Sequence, residues 1–426
     1  MASRLLGRRT VTAAGVYTAT VLGFATSVVA THVLGVHGYA RYAIVLAAVG
    51  FFQLLLDLTI DEALIKYGFR YSTNAEWGRL RRLFEIALRV KLAGGALGML
   101  MIAALAPLSS AIWTQSGLTW PLLVGALIPP AQAAEGVAGA ALILRGRYDV
   151  RGVFFAVAMG LRLAGTGLGA IWGVTGAIAG LVLAQVLATV GIGALGLVDY
   201  RRFPAAARAP LGDDGRDIRS FVIQSTVASS LTSLRAVLGT MLMGAVAPFV
   251  QAAYFRNAQA PLTAFGALSS PARLVLLAEQ TSDYERGDRE RVMRLLKRYI
   301  GGTAAAMVVV VPVLWFVMPW FMGTVYGHAY RVHASDAARI VVVVAALQFV
   351  FGWTKTLPVT IGRPGLRIVT HGVEALVFLP AMLVFASLWG ATGGALALLV
   401  STVAFCLVWS FLLTRLRHEI RRVDPS

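Results

Sequence analysis

The sequence predicts an all-α polytopic membrane protein whose twelve transmembrane helices fall into two parallel six-helix lobes. Three observations predict it. Only 14% of the 426 residues are charged and 58% are hydrophobic, with a mean hydropathy of +0.74, whereas soluble domains carry about 25% charge. Apolar windows recur twelve times, and the connections between them are alternately basic and nearly free of Lys and Arg. Landmarks in the first half return at a fixed offset in the second.

The windows lie near 11–34, 41–65, 88–112, 118–144, 152–172, 174–198, 219–243, 250–279, 299–322, 335–357, 365–388 and 390–416. At about 20 residues per crossing they consume most of the chain and leave no room for a globular catalytic domain. The first window follows Arg4, Arg8 and Arg9 and runs to about Leu34 without a convincing cleavage site, so it reads as a retained helix rather than a signal peptide. After span two come Lys66, Arg70, Arg79, Arg81, Arg82, Arg89 and Lys91, an amphipathic stretch from Tyr67 to Arg89 that reads as a surface helix on anionic lipid. After span six come Arg201, Arg202, Arg208, Arg216 and Arg219, and after span eight Arg286 to Arg298. The opposite connections hold only Arg41 and Arg331. The positive-inside rule then places both termini in the cytoplasm, and the net charge of +18 is topological rather than a mark of nucleic-acid binding. Pro129-Pro130 in span four and Pro312 and Pro319 in span nine predict kinks.

The linker around Asp199 to Arg219, with Pro204, Pro210 and Gly212-Asp213-Asp214-Gly215, divides the chain into residues 1–198, a linker 199–218, residues 219–418 and a tail 419–426. Gly146-Arg147-Tyr148-Asp149-Val150-Arg151 matches Gly362-Arg363-Pro364-Gly365-Leu366-Arg367, and Gly173-Val174-Thr175-Gly176-Ala177 matches Gly390-Ala391-Thr392-Gly393-Gly394, at offsets of 216 and 217 residues. Six helices is an even number, so the halves enter the membrane in the same direction, as in transporters that rock two bundles about a central site.

Enzyme chemistry has no visible apparatus. The single Cys406 excludes an intrachain disulfide and a thiolate cluster, the six His show no metal spacing, and neither a phosphate-binding glycine loop nor a Ser-His-Asp set is present. A membrane glycosyltransferase or polymerase needs a large outer loop bearing acids, and the outer connections near 35–40 and 323–335 carry none. No cofactor and no nucleic-acid partner is expected.

The turn Leu34-Gly35-Val36-His37-Gly38-Tyr39-Ala40-Arg41-Tyr42, followed by Leu56-Asp57-Leu58-Thr59-Ile60-Asp61-Glu62, resembles the Wzx-type polysaccharide biosynthesis proteins. These are lipid-linked oligosaccharide flippases of the multidrug/oligosaccharidyl-lipid/polysaccharide exporter superfamily. The resemblance implies a V-shaped pair of lobes around a cavity lined by spans one, two, seven and eight. It implies transport of an undecaprenyl-pyrophosphate-linked glycan across the bacterial plasma membrane. Membrane lipids and polysaccharide assembly proteins are the further partners expected. A multidrug exporter of the same fold is the alternative; its cavity should favour acids and aromatics over arginines, since its usual cargo is cationic.

Charges inside the spans are costly, so each needs a partner or a job. Arg235 lies about 24 Å up span seven and Arg256 about 9 Å down span eight, which puts both in the outer third of a core about 30 Å thick. There they either bind the substrate pyrophosphate through bidentate forks, with Arg41 a further member at the outer mouth, or snorkel to the interface. Glu135 and Arg162 sit at equal depth on antiparallel neighbours and read as a structural ion pair. Glu374 in span eleven is either a protonatable coupling carboxylate or a neutral acid bonded to a carbonyl. Aligning Tyr42 with Tyr254 sets Asp57 opposite Ser269 and Asp61 opposite Arg273, so Asp61 and Arg273 read as a cytoplasmic gate, unless Asp61 pairs locally with Lys66.

Overall fold

Hydrocarbon offers no partner to a peptide N–H or C=O, so a chain this apolar has to close its hydrogen bonds within helices. In the computed structural model, residues 2–423 other than 57, 286, 287, 356, 362 and 364 are described. The side chains of 2–9, 228, 232, 236, 270–275, 277–279, 281, 282, 285, 289, 359 and 417–423 lie outside the description. The described chain is all-helical, without strands. Among the described residues seven helices are long and apolar enough to cross a membrane, or eight if a bent helix over Asp214–Val246 counts as one span.

The chain forms two compact units, Met1–Leu238 and Gly239–Ser426. The first contains α1 (Ala2–Leu56), α2 (Ile60–Thr73), α3 (Trp77–Leu105), α4 (Thr119–Gly125), α5 (Ile128–Gln132), α6 (Glu135–Leu144), α7 (Tyr148–Gly169) and α8 (Gly173–Arg201). It also contains most of α9 (Asp214–Val246), which runs on into the second unit. The second continues with α10 (Gln251–Ala258), α11 (Ala260–Glu285), α12 (Arg289–Tyr326), α13 (Ser335–Phe351) and α14 (Gly365–Val423).

Several windows expected as separate spans run on as one helical segment broken at a single glycine. Gly35 inside α1 has φ 65° and ψ 178°, and Ser27 Oγ meets Tyr39 Oη at 2.8 Å across it. Twelve residues of straight helix would hold those groups about 18 Å apart, so the chain doubles back there. Gly390 inside α14 (φ 54°, ψ −132°) does the same, with Gly393 packed directly on the Phe385 carbonyl. α7 and α8 pack together around Gly173, and a Cβ on Gly180 would sit 1.9 Å from the Gly165 oxygen. Small residues at these contacts let backbones touch where dispersion is the main attraction between helices.

Other differences have local causes. The proline pair divides span four into α4, α5 and α6, because Pro129 and Pro130 fit only the first turn of a new helix. Pro312 and Pro319 lie inside unbroken α12. The stretch from Tyr67 to Arg89 is not one surface helix: Ala75 at φ 57° turns the corner between α2 and α3, which continues into the next span. The linker 199–218 is packed on the first unit. Phe203 joins the core of Leu64, Tyr71, Leu80 and Leu83, and the Ala209 N–H donates to the Gly78 carbonyl at 3.2 Å. Asp214, at the start of α9, accepts from Tyr71 Oη at 3.0 Å and pairs with Arg70 and Arg79. Burial and that hydrogen bond push the Tyr71 phenol up to about 12, which keeps it a donor at neutral pH. The second unit centres on Leu276, Leu296, Trp353, Phe405 and Trp409; Trp353 stacks on Tyr299 at 5.0 Å and donates to Thr303 Oγ1.

The expected direct ion pair of Glu135 and Arg162 is replaced by a relay. Arg162 Nη2 donates to Gln185 Oε1, and Gln185 Nε2 donates to Glu135 Oε2 at 2.8 Å. Gln185 on α8 projects between α6 and α7, and a carboxamide, with a donor at one end and an acceptor at the other, satisfies both charges from that position.

Gln185→Leu removes both bonds and should lower stability by about 1–3 kcal/mol, read as a lower thermal midpoint of the purified protein. Recovery is expected when Glu135→Gln and Arg162→Leu are added, and an unshifted Gln185→Leu midpoint would show that the relay is not needed. Gly180→Val should cost about as much through overpacking against α7, with a smaller monodisperse peak on size exclusion; an unchanged peak and midpoint would contradict the close contact.

Candidate functional site

Within the first unit, α1, α2, α3, α5, α6, α7, α8 and α9 surround a cavity of about 390 Å³. Glycines bring its walls together. A Cβ on Gly94 would stand 2.4 Å from the Leu56 carbonyl, and one on Gly95 would stand 3.0 Å from that of Pro129. The end of α1 and the proline break are therefore seated on α3. That break also brings Gln132 to the cavity, where it accepts from Gln53 Nε2 at 3.0 Å.

Four charged side chains line the cavity. Lys91 Nζ, 4% exposed, meets Asp61 Oδ1 at 3.1 Å. Asp61 lies against Gly136, and the Arg151 guanidinium lies against Gly139 and 5.5 Å from the Phe155 ring centre. Arg151 is within electrostatic reach of both Asp61 and Glu135. The lining thus balances two acids with two bases. Asp61 sits in the first turn of α2, where the helix dipole favours a carboxylate.

The remaining wall is hydroxylic. Thr226, Ser229 and Ser230 fall at i, i+3 and i+4 on α9 and so share one face. Thr226 Oγ1 accepts from the Thr59 N–H at 3.1 Å and lies 3.2 Å from Thr59 Oγ1, while Ser230 donates to the Leu54 carbonyl. Ser225 and Glu62 are joined nearby.

Of the residues singled out in the sequence, this geometry brings together Asp61 and Glu135, with Arg162 one carboxamide away. Asp61 does not pair with Lys66, whose ammonium instead lies 4.3 Å from the centre of the Phe221 ring; Lys91 replaces it because α3 packs beside α2. Arg41 lies against the Gly117 turn with its Nε buried. Arg235 is on α9 and is not among the cavity-lining residues. In the second unit Arg256 is exposed on α10, and Arg339 is satisfied by Asp336 at 3.0 Å and by the Trp315 carbonyl. Asp57 and the side chain of Arg273 lie outside the described residues.

Glu374 is buried in the second unit, and His371 Nδ1 lies 3.0 Å from its Oε2. His371 stacks on Phe405, and Cys406, from the later part of α14, is within electrostatic reach of Glu374. His371 was legible in the sequence as the residue three before Glu374, one helical turn away. The intramembrane glutamines 53, 132 and 185 and the hydroxyl face of α9 were equally visible as polar interruptions of apolar runs. Lys91 and Arg151 were hidden by their place at the ends of windows, where basic residues read as topological. Among the described residues no cluster of His, Cys, Asp or Glu could hold a metal.

Solved structures share this architecture. An inward-facing multidrug resistance MATE family transporter of the MOP superfamily aligns at 13% identity and TM-score 0.72, over 94% of this chain and 96% of its own. The lipid II flippase MurJ in an inward closed conformation aligns at 12% and 0.70, over 95% and 87%. A MOP superfamily transporter from Pyrococcus furiosus aligns at 14% and 0.68, over 97% and 95%. At these identities the likeness is one of fold. No curated protein matches the chain. A family model described as "Polysaccharide biosynthesis protein" matches residues 8–277, well over half of the sequence. The chain is a multi-pass membrane protein that belongs to the polysaccharide biosynthesis protein family.

Proposed function

We infer that the protein is a flippase that moves an undecaprenyl-pyrophosphate-linked oligosaccharide from the inner to the outer leaflet of the bacterial plasma membrane by alternating access, in the making of a surface polysaccharide. The family match over residues 8–277 carries this reading. It takes the three helical reversals as paired crossings, the bent α9 as one crossing and α10 with α11 as another, which brings the count to twelve in two six-helix lobes, with both termini cytoplasmic as the basic connections require. No bond in the cargo is made or broken, so the chain is a transporter and not an enzyme. The balanced charges of the first-unit cavity favour this reading over a cation exporter, whose site needs acids in excess of bases.

Arg235 and Arg256, with Arg41 in support, are assigned to the pyrophosphate. Their depth in the outer third of the core suits an anion carried across, and a guanidinium grips two phosphate oxygens at once. Asp61 and Arg273 are assigned to the cytoplasmic gate, a contact made in one conformation only and therefore able to bias the equilibrium between conformations. Glu374 is assigned to coupling, with His371 as its proton-exchanging neighbour.

Arg235→Gln and Arg256→Gln should each abolish glycan export, by at least about 100-fold for a lost bidentate contact, while membrane levels hold and Lys restores only part. Full complementation by both Gln variants in an export-deficient strain would overturn the assignment. Glu374→Gln and His371→Asn should each flatten the pH dependence of flipping in reconstituted vesicles. A pH profile like that of the unsubstituted protein in both would leave the pair a packing contact.

A further inference from the structure

We propose that the first-unit cavity is a saccharide subsite that holds one neutral sugar unit of the cargo, separate from the arginines assigned to the pyrophosphate. The proposal rests on the flippase reading. Its chemistry comes from the lining. The Gln53–Gln132 contact uses one N–H and one carbonyl, which leaves Gln53 Oε1 to accept and Gln132 Nε2 to donate. Ser229 adds a hydroxyl on the face it shares with Thr226 and Ser230. Groups that donate and accept side by side match vicinal sugar hydroxyls, which also do both. Phe52 and Phe155 supply apolar surface for the C–H face of a pyranose.

The charges select against the other part of the cargo. A pyrophosphate in this cavity would stand beside Asp61 and Glu135, with Lys91 already committed to Asp61 at 3.1 Å. A cationic guest would meet Lys91 and Arg151 instead. A neutral guest leaves the Lys91–Asp61 pair intact, and its hydroxyls replace the hydrogen bonds of the water they displace. The volume of about 390 Å³ is at the small end of ligand sites, which span roughly 300–1,000 Å³. It suits a single ring or a short saccharide and excludes a long glycan, so the rest of the chain must extend beyond it.

Full-length protein in nanodiscs is tested by saturation-transfer NMR against the methyl glycosides of glucose, galactose, mannose and N-acetylglucosamine, with inorganic pyrophosphate as competitor. At least one glycoside should receive saturation. That signal should fall about tenfold in Gln53→Leu/Gln132→Leu and fall measurably in the milder Ser229→Ala, which guards against misfolding of the double variant. It should persist in Arg235→Gln and in excess pyrophosphate. No transfer to any glycoside, transfer that survives both cavity variants, or displacement by pyrophosphate would each overturn the proposal. Glycan export measured in cells separates the two readings. Intact, protein-dependent export without glycoside binding defeats the subsite alone, and glycoside binding without protein-dependent export defeats the flippase reading alone.

Discussion

A charge taken into hydrocarbon has to be neutralised by whatever stands beside it, and the arrangement of the first unit follows from that rule. Taking an ion out of water costs several kcal/mol even after relaxation, and the buried Lys91 and the partly exposed Asp61, Glu135, Arg151 and Arg162 answer that cost as a set. Lys91 covers Asp61, Gln185 joins Glu135 to Arg162, and Arg151 lies in the field of both acids. The helices that carry them are thereby held in register. α2 is tied to α3 through Asp61–Lys91, and α6, α7 and α8 meet at Gln185.

The same rule explains why the helix breaks and glycines lie where they do. Polar side chains reach a cavity only if the backbone opens one, and the opening leaves peptide groups to be satisfied. Pro129 and Pro130 open α5 and bring Gln132 inward, while Gly94 and Gly95 let the freed segment rest directly on α3. Gly136 leaves room for the Asp61 carboxylate, which a Cβ there would meet at 3.3 Å. Each of these glycines is explained by the atom that occupies its missing side chain, not by backbone freedom. At Gly35 and Gly390, where φ is positive, freedom is what matters.

The family was legible through the likeness carried by the turn from Leu34 to Tyr42, and the helical class was legible because it rests on composition and periodicity, which need no knowledge of neighbours. The reversals at Gly35 and Gly390 were legible as span boundaries for the same reason, although not as single-residue turns. Partners were less so. Equal depth predicted that Glu135 and Arg162 face each other, but depth says nothing of rotation about the helix axis, and Gln185 from a third helix takes the space between them. Lys66 was the nearest base to Asp61 along the chain, whereas Lys91 is the nearest in space, because the turn at Ala75 folds α3 back beside α2. His371 lies within one turn of Glu374, but an imidazole carries no fixed positive charge to mark it in the sequence as the partner of a buried acid. Contacts made between elements distant in sequence are the part that periodicity cannot supply.

The partly exposed Asp61 and Glu135 of the first unit and the buried Glu374 of the second have chemically different neighbours. In the first, Asp61 and Glu135 face an ammonium, a guanidinium and a carboxamide. A neutral guest entering there adds no charge to that set. In the second, Glu374 faces an imidazole at 3.0 Å with both side chains buried, and imidazole is the side-chain type that gains and loses its charge close to neutrality. A proton added to or taken from that pair changes the net charge of a buried site, and a buried charge favours whichever conformation admits water or a partner to it. The coupling role proposed for Glu374 and the saccharide subsite proposed for the first unit therefore rest on chemically distinct groups of side chains.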